Sequence, residues 1–187
     1  MRRVSFLRVF AAALALSACA VPAPVDTAIP PPALGLTDPP NAIAYTSWAF
    51  AIPSRTHGYP GAAARAVAAL DYEAGALNTD PVYKYLSPIV NVEILRARRQ
   101  TRRVLGIAPT ATSQQVVNPL TTVYVALANG DPAAAFQALS SPIFTLGPEQ
   151  TMVLLNDLPY IPAANTATMQ ALGALSSPGN SSSDVVP

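Results

Sequence analysis

Apolar residues recur at three- and four-residue intervals through the middle of this chain, and prolines punctuate the pattern. That period belongs to helices with one buried face, and proline sits well in a first turn because it has no N–H to lose there. Asn41 is a candidate cap for a first helix over residues 41–52, stopped by Pro53. Pro60 opens a second, to about Leu77, with Val67, Leu70, Ala74 and Leu77 on one face. Asp80-Pro81 and Ser87-Pro88 each put a capping side chain ahead of a proline, which predicts a short helix and then a long one over residues 88–105. In the long helix Val90, Ile94, Ala97, Thr101 and Val104 form one stripe. Glu93, Arg96, Gln100 and Arg103 form another, displaced around the axis, and Gly106 supplies a left-handed end.

Further on, Thr112 with Gln115 makes a capping box ahead of Val116, Leu120, Val123 and Leu127, although Asn118-Pro119 offers a later start; Gly130 closes that helix. Asp131-Pro132 opens residues 133–139, Pro148 with Glu149 opens a segment through Leu158, and Asn165 is placed to cap a last helix to Leu175. Strand signals are few. The expected class is all-α, an irregular bundle of roughly six to eight short helices behind a Pro-rich N-terminal tether. Residues 126–136 resemble the turn between helices of a tetratricopeptide-like repeat, but no period recurs along the chain, so an irregular bundle is the better reading.

Composition divides the chain into four parts. Residues 19–40 carry Pro22, Pro24, Pro30, Pro31, Pro32, Pro39 and Pro40 without an apolar period, which predicts an extended tether of polyproline II type. Residues 41–175 form the helical domain, and 176–187, rich in Ser, Gly, Asn and Pro, read as a disordered tail. Residues 1–18 read as an export signal: Arg2, Arg3 and Arg8 precede an apolar stretch over residues 9–16, with Ser17 and Ala18 before the single cysteine. That stretch is shorter than the about 20 residues a spanning helix needs.

The end of this signal, Leu16-Ser17-Ala18-Cys19, resembles the lipobox of bacterial lipoproteins. The resemblance covers only about the first 20 residues. It implies that the Cys19 thiol takes a diacylglycerol unit, that a dedicated peptidase cuts before it, and that acyl chains then hold the protein on a membrane. In that family an Asp after the cysteine commonly keeps the product at the inner membrane. Here the position is Ala20, which implies the outer membrane, facing the periplasm.

Cleavage removes three arginines and leaves eight basic residues against ten acidic ones, a net charge near −2 in place of +1. Nucleic acid is not an expected partner on that balance. Half of the residues are apolar but only 7% are aromatic, so the core is expected to rely on alanine and on Tyr45, Trp48, Phe50, Tyr59, Tyr72, Tyr83 and Tyr85.

Candidate chemistry is sparse. Five of the eight remaining basic residues fall within residues 96–103. Arg96, Arg99 and Arg103 share a face and Arg98 and Arg102 an adjoining one, so Arg96, Arg99, Arg102 and Arg103 are the candidate binding surface for phosphates, carboxylates or an acidic envelope protein. The same run also suits a solvated helix face balanced by Asp71, Glu73, Glu93 or Asp157. His57 is the one histidine; Asp71 and Glu73, two apart on a helix, do not face one another as metal ligands would. There is no G-x-S-x-G elbow and no Gly-rich phosphate loop, and no metal or cofactor is implied. The sequence therefore reads as a non-enzymatic accessory or interaction module of the cell envelope, with a membrane bound through Cys19 and an envelope protein as partners. The alternative is an envelope enzyme or small-ligand carrier with a pocket near His57.

Overall fold

The computed structural model describes residues 25–177. Among them the fold is all-α, an irregular bundle of seven helices with no strand: α1 Pro39–Ala49, α2 Pro60–Thr79, α3 Pro88–Val104, α4 Ser113–Ala128, α5 Pro132–Leu139, α6 Gly147–Asn156 and α7 Pro162–Ser176. Six of the seven carry proline in the first turn, so the Pro punctuation of the sequence marks helix starts.

Helix α2 lies at the centre, packed by α1, α3, α4 and α6. Every residue from 66 to 77 is buried, so it has no solvent face. Eight of its residues are alanine, which lets the neighbouring helices approach closely. The long Leu77, Leu70 and Val67 side chains fill the spaces between them, with Ile43 of α1, Ile94 of α3 and Leu120 of α4, all buried. Helix α7 packs on α3 and α1, and α4 pairs with α5.

Several starts and ends differ from the sequence reading. Asp38, not Asn41, caps α1: its Oδ1 accepts the Asn41 N–H at 2.9 Å, and the helix ends at Ala49, with Ile52 extended before a 3-10 turn at Pro53–Arg55. The Asp80-Pro81 helix is a single 3-10 turn, Pro81–Tyr83. Between the two starts offered for α4, Thr112 prevails. Its hydroxyl accepts the Gln115 N–H and the Gln115 side chain accepts the Thr112 N–H, so both ends of the box are closed and Pro119 is carried inside the helix. Asn165 is not a cap. Pro162 opens α7 three residues earlier, and the Asn165 amide instead donates to the Ala51 carbonyl.

The larger correction concerns the tether. From Val25 onward the Pro-rich stretch is part of the folded domain, and forms a strap across α2 and α4. Ala28, Leu34 and Leu36 are buried, and a 3-10 turn at Pro32–Leu34 closes on Gly35 at φ +69°. The Gln114 side chain accepts from the Ile29 N–H and donates to the Ile29 carbonyl, the two bonds a neighbouring strand would make. Arg65 donates to the Leu34 carbonyl and Tyr72 to the Thr37 carbonyl. The strap crosses α2 at Gly75, where a Cβ would run into the Asp26 carbonyl oxygen and come within 2.7 Å of the Thr27 Cα. A run of prolines looks free in sequence because it has no helical period, yet its carbonyls remain acceptors, and here side chains of α2 and α4 supply the donors.

Candidate interaction surface on α3

Helix α3 forms because Ser87 caps it, Pro88 starts it and Gly106, at φ +62°, ends it. At about 100° per residue, Ile89, Val92, Arg96, Arg99 and Arg103 fall within an arc of about 80°. All five are exposed, and Val90, Ile94, Ala97 and Thr101, on the opposite side, are buried. The outer stripe is apolar in its first half and basic in its second. Val82 and Tyr85, just before the helix, are also exposed. The one acidic residue of α3 is Glu93, whose carboxylate lies 3.5 Å from Arg96.

Of the arginines expected on this surface, Arg96, Arg99 and Arg103 are on it and Arg102 is not. Arg102 turns inward, 7% exposed, and grips Asp71 of α2 with two hydrogen bonds of 2.6 Å while a third, 2.7 Å, goes to the Ala111 carbonyl. Burial works against its charge, but the hydrogen bonds and negative charge of Asp71 outweigh that, and its pKa stands above the ordinary arginine value. Arg98 is likewise buried. It donates to the Ser113 hydroxyl at 2.9 Å and the Asp26 carbonyl at 3.2 Å, and burial lowers its pKa. Asp26 in turn accepts the Ser113 N–H at 2.7 Å, next to the start of α4. These two arginines therefore tie α3 to α2, to α4 and to the strap.

The carboxylates considered for a site with His57 are occupied elsewhere. Asp71 holds Arg102. Glu73 is fully buried against α1, where only the Thr46 hydroxyl meets it, at 2.9 and 2.8 Å from its two oxygens. Burial pushes the Glu73 carboxyl up to about 8 despite that hydrogen bond, so it is held as the neutral acid at pH 7. His57 pairs with Asp157 at 2.8 Å in a largely exposed loop. No group of three potential metal ligands is present among the described residues.

The depression next to the His57 loop, between Phe50, Pro53 and Leu158, has about 10 Å³ of room, little more than one water. A roomier groove, about 490 Å³, lies elsewhere, between the strap at Pro31 and Ala33, α4 at Thr122 and Val125, and α5 at Ala134.

The aromatic residues are split between core and surface rather than gathered in the core. Phe50, Tyr72 and Tyr83 are buried, and Trp48, Tyr59 and Tyr85 are about half exposed or more. Tyr45 and Trp48 do share a face, with ring centroids 5.9 Å apart, and Arg65 lies between the Tyr45 and Tyr124 rings at 4.5 and 5.1 Å.

Sequence reasoning missed the apolar half of the outer stripe, although the signal was there: positions 89, 92, 96, 99 and 103 alternate steps of three and four. It also missed Asp26 and Ser113, which lie 72 and 15 residues from Arg98 and carry no local pattern. Cys19 lies outside the described residues, and no helix within them is long and apolar enough to cross a membrane. Set against known protein families, curated proteins and solved structures, the chain has no match.

Proposed function

We propose that this protein is a lipoprotein of the bacterial envelope, anchored through lipid on Cys19 at the periplasmic face of the outer membrane, and that it works as a non-enzymatic interaction module. Its contact surface is the outer stripe of α3, and the partner is negatively charged. The observation that carries this reading is the division of the arginine run. Arg98 and Arg102 are bound internally, whereas Arg96, Arg99 and Arg103 face solvent with Glu93 as their single acidic neighbour on the helix. Guanidinium groups in that state offer paired donors to phosphate or carboxylate.

The test has two arms. Mass spectrometry and palmitate labelling of the protein from native membranes should show a diacylglyceryl cysteine at the new N-terminus, absent in Cys19→Ala; a protein with an unmodified thiol would end the anchor reading. Crosslinking in those membranes should give adducts with the native chain that are lost with Arg99→Glu/Arg103→Glu. Adducts unchanged by the double reversal would remove α3 as the contact surface.

A further inference from the structure

We infer that the outer stripe of α3 lies on the anionic phospholipid head groups of the leaflet that holds the anchor, its arginines on phosphates and Tyr85, Ile89 and Val92 set between them. This names the partner of the surface proposed above and rests on the Cys19 anchor. Three observations converge on it.

The first is reach. The strap is folded onto the domain from Val25, so six Cα–Cα steps separate it from Cys19, and even fully extended they span about 20 Å. A free tether ending at Pro40 would let the domain stand several nanometres off. The packed strap holds it against the bilayer surface.

The second is where the chain joins the fold. Asp26 is fixed by the inward-facing Arg98 of α3 and by Ser113 at the start of α4, where the strap crosses α2 at Gly75. The outer stripe therefore lies one helix diameter, roughly 10 Å, from the attachment point, within the reach of the link to Cys19.

The third is chemistry. The stripe from Ile89 to Arg103 is about 20 Å long at 1.5 Å per residue. It is convex, with its apolar side chains at one end and its guanidinium groups at the other. A layer of phosphates over hydrocarbon meets such a stripe at any register, because it offers acceptors everywhere and apolar depth beneath them. A folded acidic partner would have to match the spacing of Arg96, Arg99 and Arg103.

The experiment uses the full-length lipidated protein reconstituted in vesicles of phosphatidylcholine alone or with phosphatidylglycerol. An environment-sensitive fluorophore is attached at Val92→Cys, or at Thr122→Cys in the groove as a control. Lipidation blocks the Cys19 thiol, so the parent chain should take no label; a parent that labels, or whose mass lacks the lipid, sinks the anchor reading separately. With the anchor in place, the label at position 92 should brighten and shift to the blue on phosphatidylglycerol vesicles, lose most of that change in 0.5 M salt (about a 4 Å Debye length), and lose it in Arg96→Glu/Arg99→Glu/Arg103→Glu. The label at 122 should not respond. A silent label at 92, or one that responds equally on phosphatidylcholine, overturns the inference. So does a protein crosslinked to position 92 in native membranes when the vesicle signal is missing. Circular dichroism and the urea midpoint of the triple variant should match the parent, since all three arginines are exposed.

Discussion

Arg98 and Arg102 differ from Arg96, Arg99 and Arg103 only by a rotation about the α3 axis, yet the two sets meet opposite environments. Asp71, the Ala111 carbonyl, Ser113 and Asp26 account for the inner pair, and solvent surrounds the outer three. The inner set holds four segments of chain together and gives nothing to a partner. The outer set bears no comparable internal load. A charge run in sequence is thus two features interleaved, and the helical angle separates them.

The comparison breaks most severely at Asp71. Asp71→Ala leaves Arg102 buried without its counter-charge, and the urea midpoint should fall by the equivalent of about 3–5 kcal/mol. Asp71→Leu/Arg102→Met should be less destabilised than Asp71→Ala, because both charges leave together. A double variant as weak as the single one would show that the fold depends on the pair itself rather than on avoiding an orphan.

Glu73 sharpens the contrast by showing a buried carboxyl that has no cation beside it. Its folded pKa, about 8, is above the ordinary 4.5. The native state therefore holds the proton more tightly, and this contribution to stability is full below pH 4.5 and declines as pH rises through 8. At pH 7 the loss is on the order of 3 kcal/mol. Glu73→Gln keeps a partner for Thr46 and removes the titration, so its urea stability should exceed that of the parent at pH 7 to 8 and converge with it near pH 4.5. A pH profile unchanged by the substitution would mean that Glu73 does not titrate as its burial requires.

Gly75→Ala tests the strap that the inner arginines hold. Its Cβ meets backbone of Asp26 and Thr27, which cannot swing aside as a side chain would. A loss of about 1–3 kcal/mol is expected, with faster amide exchange at Ile29. The smallest effect belongs to the outer set: Arg99→Glu/Arg103→Glu should move the urea midpoint by less than about 0.5 kcal/mol while abolishing the proposed surface contact.

Much of the fold was legible because helix starts are local events. Ser87-Pro88, Asp131-Pro132 and the Thr112/Gln115 box each work within three residues, and each holds in the structure. The strap was not legible, since its reasons are Gln114, Arg65 and Tyr72, all distant in sequence and none distinguished by pattern. The candidate surface was half legible. Its basic residues stand out as a run, but nothing local separates Arg102 from them, since Asp71 lies 31 residues away, and Ile89 and Val92 have the look of ordinary helix residues. Asn41 and Asn165 show the local rule failing where another group fits better: Asp38 had the geometry at one helix, and Pro162 began the other earlier.

The crossing at Gly75 also determines how the domain answers a mechanical load. A pull on the chain ahead of Val25 enters the fold at Asp26, where Ser113 and Arg98 receive it and Arg98's helix passes it to α2 through Arg102. Three helices are then loaded together. Force that would otherwise unzip α1 turn by turn must instead shear several bonds at once, so the domain should resist tension from its N-terminal side better than from the end of α7, a helix tied outward by the single Asn165 bond to the Ala51 carbonyl.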